Sequence, residues 1–191
     1  MSRVVVSEFV SLDGVMEDPG GAEGYKHGGW TFKFDRGPEG NKFKTDELFA
    51  ADALLLGRVT YQGFAKAWPS IKDEEGFADK MNSMRKYVVS ATLKDADATW
   101  NNTKVIRGDV QAGIAKLKAQ PGGDLLVAGS ATLAHTLIEH GLVDEYRLMV
   151  FPIILGSGKR LFREAKNSAA LTLVDATKAG SGILMLTYRS V

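Results

Sequence analysis

Cysteine is absent from all 191 residues, which excludes disulfides, thiolate metal sites and cysteine nucleophiles. Histidine is scarce. His135 and His140 are five apart, on different faces of any helix, and His27 is remote, so the three lack metal-ligand spacing and read as surface groups, with no metal expected. No apolar run approaches the roughly 18 residues of a membrane span. The opening Met1-Ser2-Arg3-Val4-Val5-Val6 meets Glu8 too early for a secretory segment, so a cytoplasmic protein with no membrane partner is expected. A net charge of +1 gives no broad field for nucleic acid, so any anion must be bound locally. Gly-x-Gly-x-x-Gly, the Walker loop and the Gly-x-Ser-x-Gly elbow are all missing, as are internal repeats and low-complexity tracts.

What is present suits one domain, residues 1–191, with 45% hydrophobic and 25% charged residues. Leu54-Leu55-Leu56-Gly57-Arg58-Val59-Thr60-Tyr61 reads as a buried strand that breaks at glycine and enters a helix. Its end delivers backbone N–H groups, a guanidinium and a hydroxyl to one spot, chemistry suited to phosphate. The alternative is a C-capping glycine beside a solvated arginine. Asp124-Leu125-Leu126-Val127-Ala128-Gly129-Ser130-Ala131-Thr132-Leu133 repeats the design, with Leu133, Leu137 and Ile138 on one helical face. Between them in sequence, Tyr87-Val88-Val89-Ser90-Ala91-Thr92 is a third strand ending in small hydroxyl residues. In an open α/β sheet ligands bind beyond the carboxyl ends of the strands, where one elongated dinucleotide could touch all three.

The remaining pattern predicts a first strand over 3–10 entering Ser11-Leu12-Asp13-Gly14 and a glycine-rich loop over 15–40, read as a partly ordered substrate loop. Helices follow near 41–50, 59–67 and 74–84, with strands at 52–56 and 86–90. A short strand at 103–106 leads to a helix N-capped by Asp109. Then come strand 124–128, helix 131–140 capped by Gly141, strand 144–151, and a hairpin of 171–177 with 183–188. Asp13 is either a turn former or a carboxylate that orients substrate or assists proton transfer. Asp144 and Glu145, adjacent on a strand, face opposite ways and read as strand-entry polar groups. Gly156-Ser157-Gly158-Lys159 is either a ligand-approaching loop or a turn. Trp30, with Phe32 and Phe34 nearby, could stack on a flat ring or pack at the base of the loop.

The ordered set of Ser11-Leu12-Asp13-Gly14, Leu56-Gly57-Arg58 with Thr60-Tyr61, Val89-Ser90-Ala91-Thr92, Val127-Ala128-Gly129-Ser130, Gly141-Leu142-Val143-Asp144-Glu145-Tyr146 and Pro152-Ile153-Ile154-Leu155-Gly156-Ser157-Gly158-Lys159 resembles the dihydrofolate reductase-like superfamily. Within it, the resemblance is to the C-terminal reductase domain of the bifunctional riboflavin-biosynthesis deaminase/reductase. The resemblance implies an α/β fold with a mostly parallel central sheet, helices on both faces, a C-terminal antiparallel hairpin and a homodimer. It also implies NADPH-dependent reduction of 5-amino-6-(5-phosphoribosylamino)uracil or a related small heterocycle or carbonyl compound. On that basis Gly57, Arg58, Thr60, Ser90, Ala91 and Thr92 hold the adenosine side of NADPH and Gly129, Ser130, Ala131, Thr132 and Leu133 the pyrophosphate. Leu12 and Gly14 border the nicotinamide and Asp13 is the catalytic candidate, while Trp30 and Phe34, as aromatics able to stack on a flat ring, are the substrate-binding candidates in place of recognition the family pattern lacks here. It further implies a cis peptide at Gly129–Ser130, costly by about 3 kcal/mol outside proline. Two departures stand out: Asn41, Lys42 and Thr45 offer no acid on the first helix, and Ala128-Gly129-Ser130 replaces the family's Glu-Gly-Gly. With no strong acid visible, a non-catalytic NADP(H)-binding sensor or scaffold is the rival reading.

Overall fold

The computed structural model describes residues 1–165 and 168–191. Apolar segments form one eight-stranded sheet: β1 (Val4–Ser11), β2 (Ala51–Gly57), β3 (Arg85–Val89), β4 (Thr103–Ile106), β5 (Asp124–Ala128), β6 (Glu145–Phe151), β7 (Leu171–Ala179) and β8 (Ile183–Ser190). Their order is β4-β3-β2-β5-β1-β6-β8-β7. The first six strands in chain order pair in parallel, and β8 and β7 close the sheet antiparallel. The mostly parallel α/β architecture and C-terminal hairpin are therefore as expected from the sequence.

Among the described residues five α-helices, α1 (Gly37–Ala50), α2 (Arg58–Ala67), α3 (Phe77–Ser83), α4 (Val110–Lys118) and α5 (Ala131–Glu139), supply crossovers. Burial on both faces explains why the strands read as unbroken apolar runs. One core joins Val4, Val6 and Val10 to Ile114 of α4 and Leu133 and Leu137 of α5. The other joins Val5 and Leu54 to Leu48, Tyr61 and Met81 of α1, α2 and α3.

Two helix starts differ from expectation. α1 begins four residues earlier than predicted because Gly37, at φ 63°, admits the turn and Pro38 suits the first helical turn. α3 begins later, because Gly76 at φ 76° cannot be helical and the Asp73 carboxylate accepts the N–H groups of Phe77 and Ala78. Asp109 caps α4 as predicted, accepting the Ala112 N–H at 3.0 Å.

The loop after β1 is ordered by carboxylates. Asp18, itself buried, accepts the N–H groups of Ala22, Glu23 and Tyr25. No helix among the described residues is long and apolar enough to cross a membrane.

Candidate functional site

Parallel pairing of β3, β2, β5 and β1 sets their carboxyl ends side by side, with Gly57 opposite Val89 across β2 and β3. The two phosphate-type turns are joined directly. The Ser130 hydroxyl accepts the Gly57 N–H at 2.8 Å and donates to the Thr60 hydroxyl at 2.7 Å. Gly57 has ordinary extended backbone, so its glycine is needed for space: a Cβ there would lie 2.8 Å from Ser130 Oγ. A Cβ at Gly129 would likewise lie 3.1 Å from the methyl carbon of Thr60, and Gly129 adopts φ 70°.

Ser130 is the N-cap residue of α5, yet its hydroxyl makes no capping bond because it is spent on β2 and α2. The first intrahelical bond goes from Ala134 to Ser130, leaving the N–H groups of Ala131, Thr132 and Leu133 without helical acceptors. α2 also starts without a side-chain cap, at Gly57, and places Arg58 exposed at its first position, bonded only to Gln62 among the described residues. Two uncapped helix starts and a guanidinium thus stand together at the carboxyl end of the central strands, donors of the kind that suit a phosphate chain. On the third strand end, Thr92 and Ala91 are exposed, while the Ser90 hydroxyl is engaged by the Thr92 and Leu93 N–H groups. Leu133 is core, so only its backbone can face a ligand.

The Gly129–Ser130 peptide is trans, since no cis bond occurs among the described residues. This corrects the expected cis geometry. The chain turns instead through two successive left-handed residues, Gly129 at φ 70° and Ser130 at φ 68°. For serine that region is uncommon, and such strain concentrates at functional sites.

Beyond β1, Asp13 is a fastener. Its carboxylate accepts the Ser11 hydroxyl and the N–H groups of Leu155 and Gly156, with Arg160 at 3.6 Å. The Ser11 hydroxyl and the two backbone donors, outweighing burial, bring its pKa down to about 2. A carboxylate so held is ionised at neutral pH and does not serve as a proton donor. Glu17 and Tyr25 grip the same loop through Lys159 N and Ser157 O, so Gly156-Ser157-Gly158-Lys159 is a braced turn. Gly14 closes the turn to Ser11, and Leu12 stands exposed above it.

Trp30 is a second correction. It is fully buried against Phe151, and its indole N–H is given to the Glu17 carbonyl at 2.9 Å, so neither face is open for stacking. Phe34 packs edge-on against the same Phe151. Trp30 and Phe34 thus serve the small core under β6 and β8, while Phe32 is exposed.

Two acidic residues escaped the sequence reading. Glu47 of α1, buried, accepts the Ser7 hydroxyl at 2.8 Å and pairs with Lys44. The first helix therefore does carry a buried acid, farther along than the positions considered. Glu8 lies in the β1 row otherwise made of Val4, Val6 and Val10; it is 5% exposed and accepts the Gly129 N–H at 3.1 Å. Its other oxygen has no hydrogen-bond partner among the described residues. Burial raises its pKa to about 8, with Lys44 and the Gly129 N–H opposing and Glu47 adding to the rise. The signal was in the sequence: one carboxylate interrupting an apolar strand.

Asp144 and Glu145 sit at the opposite sheet edge. There Arg3, Arg147 and Arg189 surround Asp124 and Glu145, and Lys118 pairs with Asp144. A hollow of about 690 Å³ beside Trp100 and Asn82 also lies at that edge, by the amino ends of β3 and β4.

The sheet order and the paired helix starts define the dihydrofolate reductase-like class of fold. A dihydrofolate reductase from Enterococcus faecalis complexed with NADP(H) shares it, with a TM-score of 0.57 at 14% identity over 98% of this chain and 96% of that one. A Shewanella sp. PV-4 protein named for riboflavin biosynthesis aligns with a TM-score of 0.78 at 20% identity, over 99% of both chains. Residues 2–185 match the RibD C-terminal domain, and the chain belongs to that family. It is 31% identical to the uncharacterised Bacillus subtilis (strain 168) protein YyaP across 97% of this chain and 94% of that protein. At the level of the family it groups with reductases of the riboflavin-pathway type.

Proposed function

We propose that this protein is an NADPH-dependent reductase acting on 5-amino-6-(5-phosphoribosylamino)uracil or a related small heterocyclic or carbonyl compound, in the cytoplasm. The observation that carries the reading is the Ser130 bridge, which joins two helix starts and turns the capping hydroxyl away from the α5 amides. The residues present fit a nicotinamide dinucleotide. The N–H groups of Ala131, Thr132 and Leu133 would take the pyrophosphate, and Arg58 with Thr60 the adenosine side, including a 2′-phosphate. Leu12 and Gly14 would border the nicotinamide. When bound, the coenzyme supplies a hydride from C4 of its nicotinamide ring. The chain's own part would be orientation: Asp13 fixes the turn after β1 by holding Leu155 and Gly156, and that turn would help to place the ring.

One observation favours the rival reading of a coenzyme-binding module without turnover: Asp13, at the mouth, is ionised at neutral pH. A panel of imine and carbonyl acceptors, followed by loss of reduced-nicotinamide absorbance, separates the two. Oxidation with any acceptor supports the reductase; tight binding without oxidation supports the module.

A homodimer belongs to the same proposal. Cross-strand register sets Leu173 opposite Tyr188, on the face that Leu184 and Leu186 share. Leu173 is 52% and Leu184 45% exposed, an apolar face suited to a second copy of this chain.

A further inference from the structure

Glu8 is an ionisable residue in an apolar row, yet among the described residues it makes only one hydrogen bond, to the backbone of the turn that opens α5. That turn is strained at Ser130, and Ser130 in turn carries the bonds to Gly57 and Thr60. Hydrogen bonds on two successive residues, Gly129 and Ser130, thus tie β1 through the end of β5 to the start of α2. The unpartnered oxygen makes a structural ion pair an inadequate account. Lys44 and Glu47 are the charged groups that act on Glu8, both from α1, and each is already satisfied by the other and by Ser7.

We propose that Glu8 is a positioning residue for the coenzyme: by accepting the Gly129 N–H it sets the left-handed pair Gly129–Ser130, and with it the α5 amides that receive the pyrophosphate. The inference deepens the coenzyme reading and rests on it. An ionised carboxylate in this dry place, with one donor and an anion brought close, is unfavourable. Glu8 therefore keeps its proton at neutral pH, consistent with a pKa of about 8. Ionisation strengthens the bond from Gly129 but sets a second negative charge in a dry place behind the amides that receive the pyrophosphate, so the ionised form binds the anion less well. By linkage, a ligand that prefers the protonated form binds more weakly as pH rises through that value and takes up protons on binding there.

The test compares wild type, Glu8→Gln, Glu8→Asp and Glu8→Ala. NADPH affinity is measured by fluorescence titration from pH 6 to pH 9.5, roughly the span about the Glu8 value, and proton uptake by calorimetry in buffers of different ionisation heat. The expected result is about tenfold weaker wild-type binding at the alkaline end, with proton uptake around pH 8. Glu8→Gln keeps a neutral acceptor for Gly129 and binds like the neutral wild type at every pH, without uptake. Glu8→Asp, too short to reach, and Glu8→Ala bind weakly throughout. Equal binding by all four, or a glutamine variant as weak as alanine, overturns the inference. The Gly129 amide resonance of the coenzyme-free protein gives an independent readout, expected to titrate near pH 8 in wild type and to stay flat in the folded glutamine variant. Should NADPH fail to bind wild type at any pH, the functional reading falls. A Gly129 resonance that does not titrate defeats the Glu8 inference whether or not coenzyme binds.

Discussion

Ser130 Oγ lies 2.7 Å from Thr60 Oγ1, although the two residues are 70 positions apart in the chain. This contact locks the α5 start onto the α2 start and frees the α5 amides. A double-mutant cycle of Ser130→Ala and Thr60→Val should give a coupling of about 0.5–1.5 kcal/mol in urea unfolding. The same substitutions should weaken NADPH binding together, not additively. Independent, additive losses would show that the contact does not organise the site.

Gly57 is pinned by space. Gly57→Ala would set a Cβ about 2.8 Å from Ser130 Oγ, so the turn must shift. Affinity for NADPH should drop roughly tenfold or more, while the melting temperature changes little if the strain is relieved by moving the exposed turn. Unchanged affinity on titration would contradict the proposed site.

Arg58, exposed at the first position of α2, should discriminate between coenzymes. Arg58→Ala is expected to weaken NADPH by about 1.5–3 kcal/mol and NADH far less, as measured by paired titrations. Equal losses would remove Arg58 from the 2′-phosphate.

Asp13 yields a pH signature. Its pKa in the fold, about 2, lies below the ordinary carboxylate value of 3.8, so its stabilisation is complete above that value and fades as pH falls from about 4 toward 2. Asp13→Asn should lower stability at neutral pH by about 1–3 kcal/mol, and the gap to wild type should close in acid. Thermal melts across that range measure it. A gap that persists at the acid end would deny the anchoring role.

The apolar runs and glycine breaks made the elements legible, because strands buried on both faces must be apolar and helix starts need small or hydroxyl residues. The joining of Gly57 to Ser130 was not legible. It depends on β5 slotting between β2 and β1, a long-range pairing that periodicity does not encode. Trp30 was misread because a loop aromatic looks the same in sequence whether it faces a ligand or Phe151. Trp30→Ala should cost about 3–5 kcal/mol, as a core residue does, against a stacking residue's loss of affinity alone. Glu8 was legible only as a charge that interrupts an apolar run; that its side chain is buried depends on how β1 packs in the sheet, which the run does not encode.

The hairpin face predicts assembly. Leu173→Lys with Leu184→Lys should convert dimers to monomers in sedimentation, with the fold retained by circular dichroism. A wild type that sediments as a monomer would refute the second copy.

Calorimetric titration of the wild-type protein with NADPH bears most directly on the shared strand-end receptor. The account predicts one NADPH per chain, with binding sharply reduced by Ser130→Ala and by Arg58→Ala. Absence of binding heat across buffers and temperatures, or undiminished binding in both variants, would contradict it.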